Sequence, residues 1–360
     1  MVGRLWLALV FLGAIFMPAA PGAPARPAPQ SGFIHTAQYG VDKQGKLRGT
    51  KRYERVWFQG KQTRTDLFIG DTLTFIQVHG PRCWIGYPAA GWSQACGKHA
   101  EDAPYPAEVR RKFDLIFSSR PVRKTTTVNG ISCWLYTWHQ PAVQAGCIGS
   151  CADDVSYWVR ADSRFPEVLR FEAGAGGRRD TLAFHLNRPA PEGVFEQPKG
   201  WKPILPFRAP EGPYLISWTI ERSSNQYGWT SVEHDSHRSD GTDATRTYTS
   251  TTKYPDKVAS TFSPPDERRR AAEVGPELYR AMQHPTWFVV RKIGEERVLG
   301  LPCDILERIP EGVGPDSSLP SERHWVTNHP LMGTVTLRRE THSREERNTF
   351  SVTRIEAAPQ

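Results

Sequence analysis

Two short clusters in this 360-residue chain have the residue types for metal chemistry. Cys147-Ile148-Gly149-Ser150-Cys151 sets two thiols close together, and Glu233, His234, Asp235 and His237 gather carboxylates and imidazoles. A structural zinc needs four ligands, and neither cluster has a second close cysteine or histidine pair beside it. The competing readings are a tight local disulfide loop for the cysteines and a solvated strand end or loop for the histidines. Gly174-Ala175-Gly176-Gly177-Arg178-Arg179 offers a glycine-rich loop, but no helix opens after it, so a hairpin fits better than a phosphate cradle. The sequence holds no Gly-x-Ser-x-Gly elbow and no His-Glu-x-x-His helix. No catalytic residue, metal or cofactor is expected, and the chain reads as a non-enzyme.

The remaining chemistry is that of thiols and rings. The six cysteines are Cys83, Cys96, Cys133, Cys147, Cys151 and Cys303. Disulfides are the default in an oxidising compartment. Cys83 and Cys96 flank an aromatic, glycine-containing turn and are candidates to pair across a hairpin, as Cys147 and Cys151 are across their loop. Cys133 and Cys303 are then left as buried thiols or as partners of each other. Trp57, Phe75, Phe113, Phe117, Trp134 and Trp158 are candidates to line an apolar ligand cavity in the first half of the chain, and Trp287 and Trp325 one in the second, since such cavities are mostly apolar with few polar groups; a packed core is the alternative in each. Trp84, Tyr87 and Trp92, between Cys83 and Cys96, either dip into a membrane interface or a partner, or pack back and anchor their loop.

The N-terminus indicates where such a protein works. Arg4 is followed by an apolar run from Leu5 to Met17 and then by small residues and prolines, which is the layout of a secretory signal peptide. The apolar run is shorter than the roughly 20 residues that span a bilayer. The expectation is a signal peptide over 1–25, a proline-rich linker over 26–32, and a periplasmic or secreted product. The net charge of +8 is spread out, and the densest group, Arg268-Arg269-Arg270, lies beside Asp266, Glu267 and Glu273. That pattern suits a solvated surface and gives no nucleic-acid footprint. The oligomeric state is not legible.

The elements that must position these residues repeat. Pro106, Gly130 and Cys133 recur as Pro276, Gly300 and Cys303, each pair 170 positions apart. Tyr157-Trp158-Val159 matches His324-Trp325-Val326, and Phe165-Pro166 matches His329-Pro330. Strands are expected over Phe33–Tyr39, Arg52–Phe58, Thr63–Ile69, Thr72–Val78, Ser132–Trp138, Ser156–Ala161, Glu167–Ala173 and Asp180–Leu186, several with apolar–polar alternation. The second copy adds Thr334–Arg339 and Asn348–Glu356. Pro106, with Val109, Phe113, Ile116 and Phe117 at helical spacing, predicts an inserted amphipathic helix, answered by Pro276, Leu278, Tyr279 and Met282. Five prolines between Pro198 and Pro213 read as a linker. The predicted domains are 33–197 and 213–358, joined by 198–212.

Three segments resemble the LolA/LolB-type lipoprotein-carrier superfamily, which includes the periplasmic regulator RseB: Arg52-Tyr53-Glu54-Arg55-Val56-Trp57 with its hairpin into Thr63-Arg64-Thr65-Asp66, Gly130-x-x-Cys133-x-x-Tyr136, and Tyr157-Trp158-Val159 before Phe165-Pro166. The resemblance implies a mainly β fold with inserted helices: two tandem half-open antiparallel β-barrel (LolA-like) domains. It implies binding of a lipid, acyl chain or lipoprotein in an apolar cavity. The alternative is a protein-interaction or sensor module of the cell envelope without a small ligand. The carriers are usually single-domain, and the four cysteines 83, 96, 147 and 151 lie outside their pattern.

Overall fold

The computed structural model describes residues 30–96, 122–140, 153–173, 177–263, 288–310 and 321–357, apart from residues 42, 43, 45, 162–166, 209, 211, 241–243 and 344. Every element among them is a β-strand. The expected signal peptide, the two expected helices and Cys147 with Cys151 lie outside the described residues.

The first half of the chain supplies β1 (Ser31–Val41), β2 (Leu47–Gln59), β3 (Gln62–Ile69), β4 (Thr72–His79), β5 (Trp84–Tyr87), β6 (Trp92–Ala95), β7 (Val122–Val128), β8 (Ile131–Gln140), β9 (Asp153–Arg160), β10 (Val168–Ala173) and β11 (Gly177–Leu186). After β12 (Lys202–Pro203) come β13 (Pro213–Ser224), β14 (Trp229–Asp240), β15 (Ala244–Lys253), β16 (Val258–Ser263), β17 (Phe288–Val298), β18 (Leu301–Pro310), β19 (Ser321–His329), β20 (Gly333–His342) and β21 (Glu346–Ala357). Period-2 alternation produces these strands. In β1, for example, Ile34 is buried between less buried neighbours.

The repeat seen in the sequence is a repeat of topology. In the first copy the strand order is β4-β3-β2-β1-β11-β10-β9-β8-β7, and in the second it is β16-β15-β14-β13-β21-β20-β19-β18-β17. Each copy is an antiparallel meander whose last strand returns to pair with its first. The shared glycines turn the same hairpin. Asn129 and Gly130 sit at φ 49° and 77° before β8, and Leu299 and Gly300 at φ 52° and 78° before β18. Two successive positive φ values are the type I′ turn that matches strand twist. Three residues past each glycine lies a buried thiol, with Cys133 Sγ 3.2 Å from the carbonyl of Ile131 and Cys303 Sγ 3.5 Å from that of Leu301. Neither sheet closes among the described residues. The expected half-open barrels are therefore two open sheets of one topology.

The chain divides into two compact units, and the division is not a single cut. The second unit gathers Leu73–Phe75, Trp84–Ala95 and the chain from Gln197 onward. The hairpin of β5 and β6, closed by the Cys83–Cys96 disulfide, thus belongs with the second unit, where β12 adds to it in parallel. Trp84, Tyr87 and Trp92 are buried. They anchor the loop and do not present rings to a membrane. Trp201 and Ile204, inside the segment read as a linker, are packed, while Lys202 and Pro203 between them are exposed. Trp201 meets Trp84 edge-on at 6.2 Å and lies so close to Gly86 that a Cβ there would overlap its ring. Ile204 is buried and its amide donates to the Ser93 carbonyl.

The second unit's core is Tyr214, Ile216, Trp218, Trp325, Leu337 and Phe350 with their neighbours, all closely buried. The first unit has no single core of that size among the described residues. Ile34, Val56 and Phe58 form one cluster, Tyr136 and Val159 a second, and Val128, Cys133 and Leu169 a third.

Candidate functional site

In the first unit the strands that bury Ile34, Val56 and Phe58 on one face must turn the residues between them to the other face. Those residues are Phe33 and Trp57. They are register partners on β1 and β2, and their ring centroids lie 4.1 Å apart. His185 of β11 is the partner of Phe33 on its other side and stacks with it at 6.4 Å and 11°. Phe33 and Trp57 are partly buried and His185 is exposed. The Arg188 guanidinium lies 5.8 Å from the Trp57 ring centre. Farther along the same two strands His35 and Tyr53 lie 5.9 Å apart, and Arg55 sits 4.5 Å over Phe68. Each such cation–π contact is worth about 0.5–1 kcal/mol at a partly exposed site.

This shelf depends on Gly32. A Cβ at that position would overlap the Phe58 ring and the His185 carbonyl. The glycine lets Phe58 pass under β1 while Phe33 turns the other way. Beside the shelf, Arg64 bonds Asp66 at 2.6 Å and the Val194 carbonyl at 2.7 Å. Burial pushes the Asp66 carboxyl up, against the pull of Arg64 and Arg55. Burial and the nearby Arg55 charge push the His35 imidazole down, so it is neutral at physiological pH.

A second polar group in this unit is saturated. Asp180 accepts from the Tyr39 hydroxyl, from Arg170 Nε at 2.7 Å and from Arg178 Nε at 3.3 Å. Burial and the Asp180 contact push the Tyr39 hydroxyl up to about 12. A carboxylate committed to three donors and a phenol that stays protonated supply neither general base nor nucleophile at neutral pH.

The expected cavity residues do not converge on one site. Trp57 lies on the shelf. Trp134 packs with Tyr136 and Val159, whereas Trp158 packs with Val128, Cys133 and Leu169. Trp134 is the register partner of Val159, and Trp158 is that of Leu135, so the two tryptophans point to opposite faces. Phe75 is buried 5.7 Å from Tyr87. Trp325 is 5% exposed inside the second unit's core; its Nε1–H donates to Glu296 at 2.6 Å, and Arg338 covers its ring at 4.6 Å. Phe113, Phe117 and Trp287 lie outside the described residues. Sequence reading missed Phe33, His185 and Arg188, which extended register pairing from Trp57 would have indicated.

The second unit also buries charge. Asp304, 2% exposed, accepts from Trp92 Nε1 at 2.9 Å and from Lys202 and Lys292, each at 2.8 Å. Burial works against ionisation, but these donors hold its carboxyl below the usual range. The Lys292 amide also bonds the Ala89 carbonyl. This hub ties the β5–β6 hairpin and β12 to β17 and β18. Fully buried His324 meets Glu322 at 3.1 Å, and Arg308 meets the same carboxylate at 2.9 Å. Burial lowers the His324 pKa. Although burial raises that of Glu322, the His324 bond and the Arg308 and Arg339 charges bring it to about 2.

The histidine cluster of the sequence is divided by its strand. His237 and Asp235 alternate with His234 along β14, so the two imidazoles take opposite faces. His237 stacks on Trp218 at 5.1 Å, and Asp235 is held by Arg246 through a bond of 2.9 Å. Among the described residues no group of three or more His, Cys, Asp or Glu is placed to hold a metal. Burial raises both free thiols, Cys303 to about 11.

No protein-family model matches the chain, and no curated protein matches it. Among solved structures it is similar to MucB, at 16% identity over 42% of this chain and 56% of that one, with a TM-score of 0.24. The match thus spans little more than half of that protein. In the Pseudomonas aeruginosa MucA/MucB complex the figures are 12% identity, 92% of this chain, 95% of that one and a TM-score of 0.28. A LolA superfamily protein from Nitrosomonas europaea matches at 7% identity, over 43% of this chain and 90% of that one, with a TM-score of 0.17.

Proposed function

We propose that the protein is an exported, non-enzymatic binding protein whose first unit takes an amphiphile on the Phe33–Trp57 shelf. The ligand is a lipid, or the acyl chain of a lipoprotein. The two sequence repeats are 33–197 and 213–358, with the Trp84–Ala95 hairpin of the first counted in the second compact unit; a signal peptide over 1–25 precedes them, and the product works in the periplasm or outside the cell. The observation that carries this reading is that Phe33 lies against Trp57 and stacks on His185 while the first two rings stay only partly buried and the third is exposed, with Arg188 at their rim. Rings of this kind cover an acyl chain at ~25 cal/mol per Å² of apolar surface removed from water, before ordering costs. Arg188 and Arg55 supply positive charge for an anionic head or carboxylate. The saturated state of Asp180 and Asp304 supports a binding role over catalysis.

The test is native mass spectrometry of the mature protein recovered from its export compartment, with organic extraction of whatever leaves on denaturation. The expected result is a bound lipid or acylated peptide, lost in Trp57→Ala. A ligand-free mass that stays unchanged after incubation with oleate would overturn the proposal. It would favour the protein-interaction reading.

A further inference from the structure

Sheet ends are where an unpaired backbone meets water, and proteins usually protect them with charge, proline, bulges or short length. The described edges β7, β12 and β17 follow this rule. β7 carries Arg123 and Lys124. β12 is two residues long, Lys202 and Pro203. β17 has five charged residues and a bulge between Lys292 and Gly294.

β16 breaks it. Its sequence, Val258-Ala259-Ser260-Thr261-Phe262-Ser263, has no charge and no proline. It runs in unbroken antiparallel register with β15, from Lys253↔Val258 to Tyr248↔Ser263. Residues 258–261 are exposed, Val258 at 64%. No described strand pairs with its other edge. A flat, uncharged, β-prone hexamer of this kind is a template for strand addition.

We infer that the edge of β16 that no described strand pairs takes an added strand from a partner polypeptide: an uncharged, extended C-terminal segment running antiparallel to it. The direction follows from charge. Lys253 is the register partner of Val258, and Lys257 precedes it. Lys257 lies 5.3 Å over Tyr254, and the turn is closed by the Tyr254 amide on the Lys257 carbonyl. Asp256 in the same turn offsets one of the two ammonium groups and leaves a net positive end. An antiparallel strand brings its C-terminus to that end, so a free carboxylate meets the lysines. A second copy of this chain is a poorer occupant, because its own β16 paired antiparallel would bring Ser263, and no free carboxylate, to the lysines. The inference concerns the second unit and does not depend on the lipid-binding reading.

The probe is the peptide Thr-Val-Thr-Val-Thr-Val with a free C-terminal carboxylate, added to the full mature protein. Hydrogen exchange should slow at amides in 258–263, and calorimetry should give measurable binding. Amidating the peptide C-terminus, or Lys257→Glu, should weaken binding roughly five- to ten-fold. Ser260→Pro should abolish it, because proline removes a strand donor. Ser260→Lys serves as a milder second variant, and an unchanged Tm shows that the edge strand and not the fold has been altered. Equal binding by wild type and both Ser260 variants would overturn the inference. So would no protection of 258–263 at millimolar peptide. A dimer seen by light scattering that dissolves in Ser260→Lys would also overturn it, assigning the edge to a second copy.

Discussion

Trp57 and Trp325 show how one topology serves two ends. Both sit on strands of equivalent sheets. Trp325 is enclosed by Leu337, Cys303 and Arg338, with its indole N–H spent on Glu296. Trp57 is only partly buried, with Phe33 and Arg188 against its ring. Among the described residues, Trp325 belongs to a large cluster of buried side chains in the second unit, while Ile34, Val56 and Phe58 beneath the Trp57 strand form a small one. The difference lies in which alternating positions carry rings, not in strand order. A repeat can therefore keep its architecture while one copy buries a tryptophan that the other leaves partly exposed.

The largest effect that separates the two comes from removing the rings. Trp325→Ala should lower unfolding stability by about 3–5 kcal/mol, through a cavity and an orphaned Glu296. Trp57→Ala should cost less than about 1.5 kcal/mol, because a half-exposed ring loses less burial, while ligand binding falls. Urea denaturation of both variants checks this, and equal costs would mean that the first unit is as closed as the second.

Acid should act on the second unit next. Glu322 has a folded pKa of about 2, below its usual value near 4.5, so its contribution is complete above pH 4.5 and is lost as pH falls toward 2. His324 is also lowered, so the unfolded chain takes up a proton first as pH falls below about 6.5 and the folded state is penalised. Both signs make acid destabilising. Tm should fall from pH 6.5 downward, and His324→Gln should flatten the part above pH 4.5. A Tm that rises on acidification would contradict the assignment.

The smallest contrast lies in the paired turns. Asn129 tolerates positive φ, whereas Leu299 at φ 52° does so at a cost of about 1 kcal/mol. Leu299→Asn should raise stability by about that amount and Asn129→Leu should lower it similarly, as thermal melts will show.

Much of this architecture was legible in the sequence. Alternation located β1 to β4 and β8 to β11 in the first copy but only β20 and β21 in the second, and the recurrence of Gly130-x-x-Cys133 as Gly300-x-x-Cys303 identified copies that share a strand order. Cys83 and Cys96 were recognisable because they bracket a turn. The membership of Trp84–Ala95 in the second unit was not legible, because it rests on Asp304 and Trp201, which are distant in sequence. Nor was the state of the rings. A tryptophan on a strand reads the same whether its face is covered or bare, and Trp134 and Trp158 took opposite faces that composition alone does not reveal.

The central claim is that the first unit's shelf, and not the second unit's core, receives the apolar ligand. The most direct measurement is photo-crosslinking of the delipidated mature protein with a diazirine-bearing fatty acid, followed by peptide mapping. Crosslinks should fall on 31–41, 53–59 and 177–188, and should be lost in Trp57→Ala. Crosslinks confined to 322–352, or none at saturating ligand, would contradict the account.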